Sequence, residues 1–252
     1  MGTACAGPPK MHLESDRFKN YDELIQAIEQ AGLASMRCVI SVDFSSSNGD
    51  LHSLDPSKDN PYLKVIKVLE PVLQKFDTSN ETYAYRFGCI DSQELKVLPL
   101  YGEDPVCTSF DQIISNYKTA AETVQMSGPT TFTHTIKKCI ELEKQLGGKE
   151  FIFCVFITDG VVSDPEEDIL QLKFASKYPI SFVAVGVGKG PFGLLENFDD
   201  KFKGKFDNFQ FVNLNEITEI SKRHERPDLV FSTALFNEVP DHYKNVKKLG
   251  YL

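Results

Sequence analysis

The sequence predicts an α/β fold, a mostly parallel central sheet with helices on both faces, from three observations. The stretches Cys38 to Val42, Phe151 to Ile157 and Ile180 to Val187 are near-continuous apolar runs, the kind expected of strands buried on both faces. Segments with apolar residues at helical spacing separate them, so neighbouring strands must be joined by helical crossovers. No repeat, low-complexity block or linker divides the middle of the chain, which is therefore expected to be one domain over 17–252 behind a flexible leader, 1–16.

Each element follows from local pattern. Leu24, Ile25, Ile28 and Ala31 recur at helical spacing from Tyr21 and stop at Gly32. The first strand, from about Arg37 to Val42, is followed by a polar, turn-rich stretch. Asn60-Pro61 opens a second helix with Leu63, Ile66, Val68, Leu69, Val72 and Leu73 on its buried face, and Pro71 is expected to interrupt it. Thr82 to Phe87 alternates as a strand, and Ser109 to Val124 reads as a helix. Ser127-Gly128-Pro129-Thr130-Thr131-Phe132 is a turn opening a helix through Ile136, Cys139, Ile140 and Leu142, ended by Gly147-Gly148. Asp164 caps a helix from Pro165 to Tyr178 whose first turn carries Glu166, Glu167 and Asp168, expected to be a solvated acidic helix start. A short helix around Leu194 to Phe198, a last strand from Phe209 to Leu214 and a helical tail from Leu229 towards Tyr251 complete the chain.

Composition narrows the function. Lys plus Arg total 27 against 36 Asp plus Glu, a net charge of -9, so no basic excess exists to release phosphate counterions and nucleic acid is excluded as a general partner. The apolar runs are too short to cross a bilayer, and the N-terminus lacks the layout of a secretory signal. Six cysteines without a C-x-x-C pair point to reduced, buried thiols in an intracellular, cytoplasmic protein. A peripheral place at the plasma membrane is expected only if Gly2 or Cys5 is acylated, and Ala6 stands where the myristoylation pattern prefers Ser or Thr.

The chemistry gathers at strand ends. Asp43-Phe44-Ser45-Ser46-Ser47 delivers one carboxylate and two hydroxyls, at alternate positions, to the carboxyl end of the first strand. That is where open α/β sheets bind ligands, and such hard oxygen donors suit Mg²⁺. The 151–157 strand ends in Thr158-Asp159-Gly160, a second strand-end aspartate, and the loop bearing Thr130 can reach the same edge. His52 and His134 are placed near enough to line the rim, each weighed against a purely structural role.

These separated pieces make the chain resemble a von Willebrand factor A domain, a three-layer Rossmann-like fold. Its metal-ion-dependent adhesion site, or MIDAS, consists of D-x-S-x-S, a loop threonine and a strand-end aspartate. Ser41-Val42-Asp43-Phe44, Ser47-Asn48-Gly49, Asn60-Pro61-Tyr62, Tyr85-x-Phe87-Gly88, Gly128-Pro129-Thr130-x-Phe132, Ile157-Thr158-Asp159-Gly160-Val161 and Val185-Gly186-Val187-Gly188 are similar to the intracellular copine subfamily. Phe206 to Asn213 and Glu238-Val239-Pro240-x-x-Tyr243-Lys244 are similar to the A domain of plant-type RING ubiquitin ligases, which belongs to the same subfamily. Copines carry paired calcium- and lipid-binding domains before this domain and the ligases a RING after it. Neither pattern is found here, so neither calcium-driven membrane docking nor ubiquitin transfer is expected of these residues.

The resemblance implies that Ser45 and Ser47 hold an ion directly, Asp43 and Asp159 largely through water, and Thr130 directly or through water. Neutral hydroxyls innermost leave the ion under-neutralised, so a partner's Asp or Glu can complete its shell. Thr131 and Gly160 join His52 and His134 as the expected partner-binding rim. The expected function is a Mg²⁺-dependent protein-recognition module, with Mn²⁺ or Ca²⁺ as substitutes, serving as an intracellular scaffold or signalling adaptor rather than an enzyme. Two alternatives are a metal-dependent phosphohydrolase using Asp43, disfavoured because Ser45 stands where a second acid is needed, and the substrate-recognition part of a ubiquitin ligase.

Overall fold

Strand β1, Arg37–Asp43, is buried at all seven positions because both of its faces are covered. Cys38, Ile40 and Val42 point into one apolar cluster and Val39 into the other, the alternation a pleated strand imposes. The structure is a computed structural model and describes residues 18–93, 95–201 and 204–252. The expected leader 1–16, with Gly2 and Cys5, lies outside the described residues.

Around β1 the sheet is completed by β2 (Thr82–Phe87), β3 (Leu98–Pro99), β4 (Val106–Cys107), β5 (Ile152–Thr158), β6 (Ile180–Gly186) and β7 (Phe209–Asn213). Its order is β3-β2-β1-β5-β6-β7, with β4 also pairing β2. β2, β1, β5, β6 and β7 run parallel, and β3 and β4 pair antiparallel to β2. These two-residue strands are too short for any periodicity to announce them.

On one face lie α1 (Tyr21–Gln30), α2 (Pro61–Phe76), α3 (Phe110–Thr123), α7 (Leu214–Ser221), α8 (Pro227–Phe236) and α9 (Val239–Lys248); on the other lie α4 (Thr133–Gln145), α5 (Pro165–Ala175) and α6 (Gly193–Lys201). Asn20, Asn60, Ser109 and Asp164 cap α1, α2, α3 and α5 through side-chain oxygens, which is why these helices start where the sequence indicates. Contrary to the expected interruption, α2 runs unbroken through Pro71. Pro71 is exposed, as is Lys67 one turn earlier, so water can serve the carbonyl that loses its N–H partner.

The C-terminal helices belong to the core. Phe236 of α8 stacks on Phe153 of β5 at 5.0 Å, and Gln210 Nε2 of β7 donates to the Ala234 carbonyl at 2.8 Å. The cysteines at 38, 89, 107, 139 and 154 are free and buried.

Candidate metal centre

The sheet changes winding direction between β1 and β5, since β2 lies to one side of β1 and β6 and β7 follow β5 on the other. Ligands bind at such a switch point, beyond the carboxyl ends of the strands. Val42 is in register with Ile157, which puts Asp43 beside Thr158 and one residue from Asp159.

Asp43 is fully buried. Thr158 Oγ1 donates to its Oδ2 at 2.6 Å and the Ser45 N–H to its Oδ1 at 2.8 Å. Burial nevertheless dominates and pushes its carboxyl up to about 6, with the negative Asp159 acting in the same direction. No described ion pair involves Asp43 or Asp159. The donors present are oxygens only, and among the described residues no three His, Cys, Asp or Glu side chains cluster as ligands. A cation at this edge must therefore lean on hydroxyls.

Those hydroxyls are held by a local network. Ser45 Oγ lies 3.0 Å from Ser47 Oγ, and Asn48 Nδ2 donates to Ser45 Oγ and to the Ser45 carbonyl, both at 3.1 Å. Asn48 Oδ1 in turn accepts from the Tyr62 hydroxyl. Ser45 is buried whereas Ser47 is exposed, so the pair runs from the interior to the surface.

The Thr130 loop is strapped to both neighbours. Ser127 bridges to Ser45 and donates its N–H to the carbonyls of Phe44, at 3.2 Å, and Gly88, at 3.0 Å. Thr130 N–H donates to Ser163 Oγ at 3.1 Å, and Ser163 N–H to the Thr130 carbonyl at 2.9 Å. Asp43, Ser45, Thr130 and Asp159 are thus buried along one edge, with Ser47 at its mouth.

Gly88 shows how closely this edge is packed. Its φ is +72°, and a Cβ there would lie 2.9 Å from Ser45 N and 3.0 Å from Asp43 Oδ1. Gly88→Ala is expected to cost about 2 kcal/mol by strain and crowding, read from urea unfolding. A loss below about 0.5 kcal/mol would show that the Asp43–Ser45 turn yields easily.

The expected rim needs correction. His52 is buried, stacked between Phe44 at 4.3 Å and Tyr62 at 4.1 Å. Its Nε2 donates to the Asp43 carbonyl at 2.9 Å, which makes Nδ1, 3.0 Å from the Tyr117 hydroxyl, the acceptor nitrogen. Burial lowers its pKa to about 4, so it is a neutral prop under the Asp43 loop. Gly160 is buried as well, and a Cβ there would run into the Phe192 ring. Thr131 is half-buried, with its hydroxyl donated to Asp168 Oδ1 at 2.8 Å. His134 is half-buried in the first turn of α4.

Asp168 is the residue that sequence reasoning misplaced most. Rather than lying on a solvated helix start, it is fully buried. It accepts from Thr131 Oγ1, the Phe132 and Thr133 N–H groups and Thr133 Oγ1 at 2.8 to 3.1 Å. α4 has no side-chain cap of its own, so a carboxylate from α5 supplies it and anchors the chain just after Thr130. Thr158, Ser127 and Ser163 were missed for the same reason: their partners are far away in sequence.

A family model described as Copine matches residues 50–252. Copine family protein 2 of Caenorhabditis elegans is 32% identical over 249 residues, covering 93% of this chain and 3% of that protein. The E3 ubiquitin-protein ligase RGLG2 of Arabidopsis thaliana is 31% identical over 261 residues, covering 94% of this chain and 55% of that protein. The chain therefore spans at most about half the length of these two relatives. Among solved structures, the manganese-loaded TRAP protein of Plasmodium vivax aligns with a TM-score of 0.50 at 15% identity, over 75% of this chain and 73% of that one, a likeness of fold.

Proposed function

The chain belongs to the copine family, and from that premise we propose that it is a metal-dependent protein-recognition module whose site is Asp43, Ser45, Ser47, Thr130 and Asp159. The observation that carries this reading is the burial of two carboxylates, Asp43 and Asp159, at the switch point of the sheet with no described cation paired to either. Such a pair is costly unless something positive sits between the side chains. Oxygen-only donors, most of them neutral, favour Mg²⁺, with Mn²⁺ or Ca²⁺ able to replace it.

When bound, the cation supplies a coordination position that an incoming carboxylate can fill. The chain's own residues do the rest. Asn48 and Ser127 hold the Ser45 turn, Thr158 and the Ser45 N–H orient Asp43, and Ser163 fixes Thr130. Ser47, exposed at the mouth, is where a partner's Asp or Glu would approach. His52 is buried and neutral, so it offers this edge no general acid.

On this reading residues 17–252 act as one recognition domain in the cytoplasm, as a scaffold or signalling adaptor. The similarity to RGLG2 supports a second use of the same surface, choosing substrates for a ubiquitin ligase. The test is a pull-down from lysate with Mg²⁺, with EDTA, and with Asp43→Ala. Partners retained in Mg²⁺ and lost in both other arms support the proposal; partners indifferent to EDTA and to the substitution sink it.

A further inference from the structure

Four lysines converge on one groove beside the metal edge. Lys58, Lys64, Lys67 and Lys118 line an open groove of about 610 Å³ between the loop 53–59, the start of α2 and α3. Lys58 is paired with Asp50 at 2.9 Å, and Lys64 Nζ donates to the neutral Thr218 Oγ1 at 3.1 Å. Among the described residues, no carboxylate lies within ion-pair distance of Lys64, Lys67 or Lys118. In a chain of net charge -9, gathering unneutralised cations runs against the average field and creates a local positive potential.

The groove's own acids, Asp55 and Asp59, offset only part of it, since four lysines line the groove against these two carboxylates. Asp55 is turned onto its own loop, accepting from Ser57 N–H at 2.9 Å and Ser57 Oγ at 2.8 Å, and Asp59 lies exposed in the same loop. Leu54 and Leu63, both half-buried, add an apolar strip.

A buried hydrogen-bond chain links the wall of the groove to the Asp43 loop. Asn60 lines the groove, and its Oδ1 accepts from Leu63 N–H at 2.9 Å and lies 3.1 Å from the Tyr117 hydroxyl. The same hydroxyl meets His52, whose other nitrogen holds the Asp43 carbonyl. Lys118 follows Tyr117 directly in α3.

We propose that this groove takes an acidic segment of a partner protein, rich in Asp and Glu with an aliphatic side chain between them, one of whose carboxylates reaches the adjacent metal edge. Lys64 and Lys67 stand one turn apart on α2, and Lys118 faces them from α3. Such a row suits carboxylates spaced along a chain better than one compact phosphate. The last carboxylate rests on the metal-dependent reading above; the lysine contacts stand without it.

The test is binding of a labelled deca-glutamate peptide to the full chain at low salt, in Mg²⁺ and in EDTA. The native chain is expected to bind in Mg²⁺, the Lys64→Gln, Lys67→Gln, Lys118→Gln triple variant about tenfold more weakly, and the triple arginine variant close to native. All three substitutions lie on half-buried or exposed positions, and an unchanged thermal midpoint in EDTA checks that the variants are folded. Lysine-dependent binding that ignores EDTA would support the groove and sink the metal reading. If the glutamine variant binds the peptide as well as the native chain, or if only vesicles containing phosphoinositides are bound through these lysines, the proposal is overturned.

Discussion

Replacing Asp43 by asparagine is expected to raise the thermal midpoint of the metal-free protein while erasing the further rise that Mg²⁺ gives the native chain. Burial moves the Asp43 carboxyl from an ordinary 3.8 to about 6, which costs the folded state up to about 3 kcal/mol at neutral pH. The folded state binds this proton more tightly than the unfolded chain does. The penalty is therefore full above pH 6, and it fades as pH falls from 6 towards 3.8. Asparagine keeps an oxygen for the Ser45 N–H, and its amide can donate to Thr158 Oγ1 where the carboxylate accepted. For a chain of this size the gain corresponds to about 5 °C or more. The midpoints of Asp43→Asn and native protein, in EDTA, should differ most at pH 7 to 8 and converge near pH 4. A variant less stable than the native chain at pH 7 would show that Asp43 contributes to the fold without a cation.

The second large effect is expected at Asp168. Asp168→Ala removes one buried acceptor from four donors at the start of α4. Orphaned buried N–H groups cost about 1 to 3 kcal/mol each, so a loss of about 3 kcal/mol is expected in urea unfolding. Glu167→Ala, one residue earlier, removes an ion pair at 3.7 Å with Lys137 and a hydrogen bond accepted from Gln171 Nε2 at 2.9 Å, all between partly exposed side chains, and should cost under about 1 kcal/mol. Because Asp168 anchors the chain beside Thr130, its alanine variant should also respond less to Mg²⁺. Equal, small losses for the two variants would return Asp168 to the solvated acidic turn that its sequence context suggests.

The contrast between these two aspartates indicates what was legible beforehand. Asp43 is readable because it ends an apolar run and is followed by hydroxyls at alternate positions, a local pattern with a known place in α/β sheets. Asp168 sits among Glu166 and Glu167 in the first turn of a capped helix, where local chemistry accounts for all three acids equally. Only the packing of α5 against α4 singles one of them out. His52 misleads in the same manner. A histidine in a polar loop reads as exposed, yet Phe44 and Tyr62 close over both faces of its ring from ten or fewer residues away.

By itself, the sequence determined the order of the five parallel strands and of most helices, most helix starts and the three segments that converge on the candidate site, but not β3, β4 or α7. Apolar periodicity and capping residues act within a few positions of one another, and that information is complete in the chain. Tertiary structure decided which polar side chains are buried and what satisfies them: Asp168 capping a helix not its own, His52 under the Asp43 loop, Ser163 holding Thr130, and three lysines with no carboxylate partner among the described residues brought to one groove. Desolvation and hydrogen-bond pairing depend on neighbours distant in sequence, so these assignments exist only once the layers have packed.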